Sequence, residues 1–573
     1  PAAGVAKIQE QLLADHPRLA TSVLRCRTNT QLIMIHTRLI LTQALVMAAC
    51  VAALAQNRSD YLRYAAPVQS QEDRAETETD IECSADYIFA RHPELRALAY
   101  RNTRRNTVLS AGYDYWRTHG DWLHYNGNRT ASLEAMAGSE AVIKGVGLLY
   151  GSATYQRSRQ HGTYQNYAVR PADYAPYTIG DTVSTGSVQN ERYVVHGGLS
   201  MGSGRFRYGV SGFYEGIAAA KEDQPRRSVY SYWFRLAFGA AFNTPRWVAA
   251  LKVYPEINKQ SISASSTVTT YKYLAFYGFG QWNRKESSAG YSYRRQMQTL
   301  GIGSDVVLRK SADETDAWDV TVNTGYNFRR MQTEESSFKN LYLTSTHRAT
   351  HNIVASRRLG SNTQIHLRLS GEAAWRKGDE NIYENQKQDA SQSLYDYVHV
   401  GTNKLYHSSD IMENLDARLV VVTGNNSCAT VNIGASYDRH HERYDMPYMV
   451  IGNTGVTPSV GFGYRFKYGR NRLDWDASFS MRKAVGNEYT VTQASSSTEH
   501  AQAYIPYLIR GEEKWSIKAS LIAAHTLKHG EIGVNASAGY ARRTSAPYRE
   551  EYAIPVCGSR DERLVSVCVF YAF

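Results

Sequence analysis

The chain lacks a second long apolar run. A helical membrane protein needs several stretches of about 20 apolar residues. The 573 residues contain one notable run, near the N-terminus, and mean hydropathy is −0.46. A bundle of membrane helices is excluded. Cysteine is scarce: six in all, of which Cys83, Cys428, Cys557 and Cys568 lie beyond residue 55 without metal-ligand spacing. They are expected to be mostly unpaired, with a Cys83–Cys428 pair near one rim as the lesser alternative. No Gly-x-Ser-x-Gly elbow occurs in a strand–turn–helix context. His366 and Ser370 share one strand face, but two steps of period two separate them by about 13 Å, too far for a hydrogen bond. The reading is therefore non-enzymatic, with no cofactor. Phe is also sparse, 15 residues against 42 Tyr. Tyr suits a boundary where one end of the ring is apolar and the other wet.

The strongest positive feature is the C-terminal segment Glu562 to Phe573. Its alternate positions are Arg563, Val565, Val567, Val569, Tyr571 and Phe573. A period-two apolar stripe ending in aromatics suits a strand with lipid on one side. Such a strand with a terminal Phe resembles the assembly signal of bacterial outer-membrane barrels, which assigns that role to Val569, Tyr571 and Phe573.

Several earlier segments alternate the same way. In Arg472 to Arg482, Leu473, Trp475, Ala477, Phe479 and Met481 alternate with Asp474, Asp476, Ser478 and Ser480. Helical geometry would send positions i and i+2 to different faces. Gly- and Asn-rich hairpin turns occur at 202–204, 243–245, 359–362, 424–426, 468–470 and 528–530. Between them lie polar stretches expected to be long external loops: 157–189, 258–296, 377–410, 483–512 and 544–561. One opening strand, eight hairpins across short turns and one closing strand make about 18, within a range of 14–20. The fold class is all-β: a transmembrane antiparallel up-and-down β-barrel over residues 106–573.

Met34 is the first Met. Arg38, an apolar core and Ala53-Leu54-Ala55 follow it, so 34–55 read as a secretory signal peptide, a better fit than lipidation at Cys50. Residues 1–33 read as upstream sequence from a mis-set start, and 56–105 as a periplasmic extension or small plug in which Pro93 breaks a short helix. Net charge is +12. Export argues against nucleic acid and directs the basic charge to the lumen or to lipopolysaccharide.

Gly112-Tyr113-Asp114-Tyr115 in the first strand, the loop Asp173-Tyr174-Ala175-Pro176-Tyr177 with Asp181, and Glu191-Arg192-Tyr193 together resemble an uncharacterised family of Gram-negative outer-membrane barrels. The resemblance implies location and fold, and supplies no catalytic or ligand residues.

Strand parity sends Arg192, Arg207, Arg235, Arg329, Arg368, Arg376, Arg465, Lys467, Arg482 and Lys518 inward. Asp114, Asp319, Glu372, Asp416, Asp474 and Asp476 join them. Such groups form either a charged constriction that selects solutes by sign or a lattice of salt bridges. A barrel of this size encloses more space than side chains fill, so an aqueous path is expected unless loops or residues 56–105 block it. Tyr174, Pro176, Tyr177 and Asp181 are placed on the external loop 157–189, whose aromatic content is enough to order it; it folds inward as a constriction, forms a docking surface or is merely exposed. His440 and His441, adjacent on an extended chain, point apart; with Asp438, Glu442 and Asp445 they read as a solvated external loop without metal.

These features point to a passive or selective channel for small hydrophilic solutes, anionic ones included. The alternative is a structural component anchoring an outer-membrane or surface complex. Expected partners are outer-membrane lipid and lipopolysaccharide, the barrel-assembly machinery, and surface or periplasmic proteins.

Overall fold

A computed structural model of the chain describes residues 85–99, 107–181, 186–221, 223–279, 281–285, 291–311, 318–335, 338–387, 395–424, 427–491, 500–547 and 559–573. The upstream segment, the signal peptide, most of 56–105, Cys83 and Cys557 lie outside these residues.

Eighteen antiparallel strands form one closed sheet, from Thr107–His119 to Asp561–Ala572. Each pairs with its sequence neighbours in the barrel, and first and last pair in turn, from Val108↔Ala572 to His119↔Asp561. Two main-chain bonds finish the seam: Phe573 donates to the Thr107 carbonyl at 2.9 Å and Thr107 to the Phe573 carbonyl at 3.0 Å. Closure leaves no strand edge bare, the condition for backbone to cross hydrocarbon.

The outer face is apolar. Leu133, Leu251, Leu300, Ile433, Phe462 and Val565 point outward and are exposed. Toward the short-turn rim stand Phe206 against Phe242, Phe466 stacked with Tyr468, and Tyr571 stacked with Phe573. An apolar band with an aromatic girdle is the surface a bilayer accepts.

Both chain ends of the barrel share one rim with eight connections, seven of them two to four residues long. The opposite rim carries most of the longer connections, but several are shorter than expected, and 336–337 and 446–447 join their strands with two residues each. Strands run through much of the stretches read as loops: Gly147–Thr163, Trp247–Ser266, Thr363–Lys387, Tyr395–Gly424 and Asn471–Thr490. Polar composition there marks strand that has left the lipid band, where both faces meet water or protein. Within 258–296, Tyr273–Gly278 pairs with Gln281–Lys285 on one side and with Ile179–Asp181 on the other in a separate three-stranded sheet.

Candidate functional site

The lumen is filled at both ends by the chain's own segments. Near the short-turn rim, helices α1 (Ala85–Phe89) and α2 (Arg96–Ala99) flank a turn containing Pro93. Ile88, Phe89, Leu95 and Ala99 pack on Ala241, Val248, Ala250, Val307 and Val354. The wall has small inward residues where this plug sits. A Cβ on Gly239 would fall 1.8 Å from the Glu94 carboxylate, and one on Gly209 2.1 Å from the Pro93 backbone. Polar ties fix the plug further. Arg96 Nε donates to Glu140 at 2.6 Å, Lys252 Nζ donates to the Arg91 carbonyl at 3.2 Å, and the Arg368 guanidinium lies 5.5 Å from the centre of the Tyr87 ring. Glu94 and His92 are wholly buried, with His92 Nδ1 3.1 Å from Glu94 Oε1. Burial pushes the Glu94 carboxyl up to about 7 and holds the His92 ring well below its ordinary value.

The other mouth is closed by a lid. The loop 164–181 turns into the barrel instead of out. Tyr174 and Tyr177 are fully buried and Asp181 nearly so, with Lys221 Nζ 3.9 Å from its carboxylate. Pro176 follows a cis peptide bond. These residues are therefore not an exposed loop. Their aromatic surface finds inward apolar partners that the strands carry above the lipid band: Val188, Val229, Ile262, Met297 and Met331. Tyr177 stacks on Tyr342 with centroids 4.4 Å apart. A second apolar cluster joins Tyr406, Tyr444 and Tyr489 to Tyr504, Tyr507 and Leu508, the last two in helix α3 (Ile505–Gly511). Gln502 Nε2 donates to the Gln165 carbonyl at 2.9 Å and links the two loops.

Buried ions clamp this lid to the wall. Arg170 of the lid donates to Glu215 at 2.7 Å, and Arg192 holds the second oxygen at 2.7 Å. Burial alone would lower the Arg170 pKa; Glu215 and Asp173 hold it above its ordinary value. Arg295, with no exposed surface, reaches Glu335 at 2.6 Å and donates to the carbonyls of Tyr177 and Thr178 at 3.3 Å. Arg376 donates to the lid carbonyls of Ala172 and Ala175 at 2.7 and 2.9 Å. Arg482 pairs with Asp438 at 2.5 Å and donates to the Glu512 carbonyl. Burial would raise the Glu512 carboxyl, but Arg560, Lys514 and Arg543 around it hold it below its usual range.

His440 and His441 also depart from the loop reading. They lie on the strand Ser427–Asp445. His440 is buried with Asp410 at 2.5 Å and Glu442 at 3.5 Å, and Arg510 of α3 contacts its other nitrogen at 2.6 Å. Among the described residues no group of three or more metal-ligating side chains is placed to hold a metal ion.

Between plug and lid lies a chamber of about 1140 Å³. Arg192, Arg235, Arg329, Arg368, Glu372, Asp476 and Lys518 line it. Most of its charges are matched. Arg235 and Arg329 share Glu256 at 3.3 and 2.6 Å, Lys252 meets Asp305 at 2.7 Å, and Arg348 meets Glu372 at 3.1 Å. Much of the remaining wall is hydroxyl and amide, including Ser132, Ser211, Asn432, Ser459, Ser478 and Ser516. Arg465 lies nearer the short-turn rim, 3.2 Å from Asp474; Lys467, two residues on, is exposed there, and Arg207 shares a strand face with Gly209 beside the plug. The structure thus spreads these side chains among plug, chamber, rim and lid and gathers no ring of like charge. Parity reasoning missed Glu215, Glu256 and Glu335, although all three are on inward positions of strands. It also missed Arg170, whose loop gives no parity to read. Val569, Tyr571 and Phe573 face outward.

The closed wall, apolar exterior and polar, plugged interior define a β-barrel of the outer-membrane type. Residues 96–566 match the family of unknown function DUF6850, and the chain belongs to that family. Solved structures of similar form include the CymD monoaromatic hydrocarbon channel (11% identity, 84% of this chain and 91% of that one, TM-score 0.27). A Pseudomonas aeruginosa FadL homologue is 12% identical over 84% and 93%, TM-score 0.32. The siderophore receptor PiuA from Acinetobacter baumannii is 6% identical over 84% and 85%, TM-score 0.37. No curated protein matches the sequence.

Proposed function

We propose that the protein is a gated outer-membrane barrel that takes small hydrophilic solutes into its chamber and passes them when the plug or lid moves. One observation carries this: a chamber of about 1140 Å³, lined in large part by charged, hydroxyl and amide groups, between two packed segments of the chain. Small-molecule sites are typically about 300–1,000 Å³. At about 30 Å³ per water, the chamber has room for several tens of waters. A purely structural barrel gains nothing from an unfilled polar interior. Because the lining charges are largely paired, selection rests more on hydrogen bonding than on net positive charge, and anion preference is slight. The reading is non-enzymatic. Its partners are membrane lipid along the apolar band, lipopolysaccharide toward the long-loop rim, and the assembly machinery at Val569, Tyr571 and Phe573. A second reading, an anchor for a surface complex, draws on the hairpin Thr363–Lys387 and Tyr395–Gly424, whose 25 and 30 residues far exceed the roughly 10 needed to cross a bilayer.

Planar-bilayer conductance and proteoliposome uptake of small sugars separate the two. The wild type should conduct rarely. Phe89→Asp with Leu95→Asp, which puts charge into the plug's apolar contact, should conduct steadily. Silence and exclusion in that variant, with the barrel folded by heat-modifiable gel mobility, would remove the channel and leave the anchor.

A further inference from the structure

The lipid-facing wall carries an acid–base pair where only apolar groups are expected. On the strand Thr363–Lys387 the outward positions run Ile365, Leu367, Leu369, Gly371, Ala373 and Trp375. From Ile365 to Trp375 the strand has the length that crosses hydrocarbon, about 9–11 residues. Gly371 is in the middle of it. Register places His351 beside it on one neighbouring strand and Glu413 on the other. Their side chains meet over the glycine, Nε2 to Oε2 at 2.9 Å, and a Cβ on Gly371 would stand 2.4 Å from that oxygen. Glu413 is nine-tenths buried, yet no group donates to its Oε2 with hydrogen-bond geometry. One step along the strands lie Ala349, Ala373 and Ile411; one step the other way lie Ile353, Leu369 and Leu415.

An ionisable group on the lipid face of a barrel costs about 2–4 kcal/mol near the midplane for a basic residue and less for an acid. Pairing reduces that cost, but His351 meets the carboxylate without hydrogen-bond geometry and keeps 29% of its side chain exposed on the lipid side. Intramembrane ionisable groups normally face a partner. Here the surface is complementary to itself. It offers one imidazole and one carboxylate on either side of a glycine. A two-fold axis along the wall past Gly371 brings each copy's His351 against the other's Glu413, the arrangement of an isologous contact. Ala349, Gly371 and Ala373 leave the wall shallow there, so two sheets can approach closely. We infer that this face is where a second copy of the chain docks within the membrane. The inference does not depend on whether the chamber conducts.

The test is cysteine crosslinking in native membranes, paired with mass measurement in detergent. Ala373→Cys should give a disulfide-linked dimer on oxidation. Leu133→Cys, nine strands away on the outer face, and the unaltered chain should not. His351→Leu with Glu413→Leu should shift the detergent-extracted protein from dimer to monomer mass by light scattering. Absence of the Ala373→Cys dimer in a folded barrel, its crosslinking to a different polypeptide, or retention of dimer mass by the double variant would each overturn the inference. If the double variant does not assemble, the Ala373→Cys result decides, because that chain keeps the pair intact.

Discussion

Arg295 shows what a single residue does in this interior. It has no exposed surface, one carboxylate partner and two lid carbonyls. Removing one member of such a pair leaves the other charge buried and uncompensated, at about 3–5 kcal/mol; removing both can be nearly neutral. Arg295→Met should therefore loosen the lid, seen as faster hydrogen exchange over 164–181, while Arg295→Met with Glu335→Met should restore most of the protection. Glu94 sets a pH dependence on the plug. Its folded pKa of about 7 lies above the free value of 4.5, so the docked plug holds the neutral acid. Its contribution to docking is full below pH 4.5 and is lost as pH rises through about 7. His92 acts oppositely, since its depressed pKa makes acid below 6.5 oppose docking. Glu94→Gln removes only the alkaline arm. Amide protection of 85–99 should exceed wild type at pH 8, and the two should converge below pH 4.5. Equal protection at pH 8 would contradict this.

At the scale of elements, the C-terminal strand has two tasks. Its outward Val569, Tyr571 and Phe573 face lipid, and its last amide and carbonyl close the seam with Thr107. Phe573→Ala keeps both main-chain bonds and removes only the ring. It should lower the fraction of heat-modifiable, membrane-assembled barrel while leaving the melting of assembled barrel little changed; wild-type assembly would remove the signal reading. Strands of this kind were legible because the side-chain period is two and the two solvents are lipid and water, so Leu473, Trp475 and Phe479 could only face one way. The segments beyond the lipid band were not. Ser427–Asp445 continues past the band to His440 and beyond, where polarity no longer distinguishes strand from loop. Tyr174 and Tyr177 were legible as an aromatic loop, but the apolar pocket they enter is assembled from seven strands of the barrel.

At the scale of the molecule, an 18-strand wall makes a bore that side chains alone leave open, and the chain closes it with its own plug and lid. Lumen charge should then act through those closures. Arg368 lies over Tyr87 of the plug, so Arg368→Glu should raise the frequency of opening in planar bilayers with little change in reversal potential. A large shift in reversal potential at unchanged opening would instead make Arg368 a filter.

The sequence by itself determined the wall: an antiparallel barrel of about 18 strands, the two faces of the strands whose alternation is clean, the rim shared by both chain ends, and the apolar terminal strand. These are local consequences of a period of two in a chain whose two faces meet different solvents. Only the tertiary structure decided that the bore is closed, which carboxylate each arginine takes, and that His351 meets Glu413 over Gly371. Those contacts join residues up to several hundred positions apart, and no spacing along one strand encodes which inward group on a distant strand, plug or loop will lie opposite.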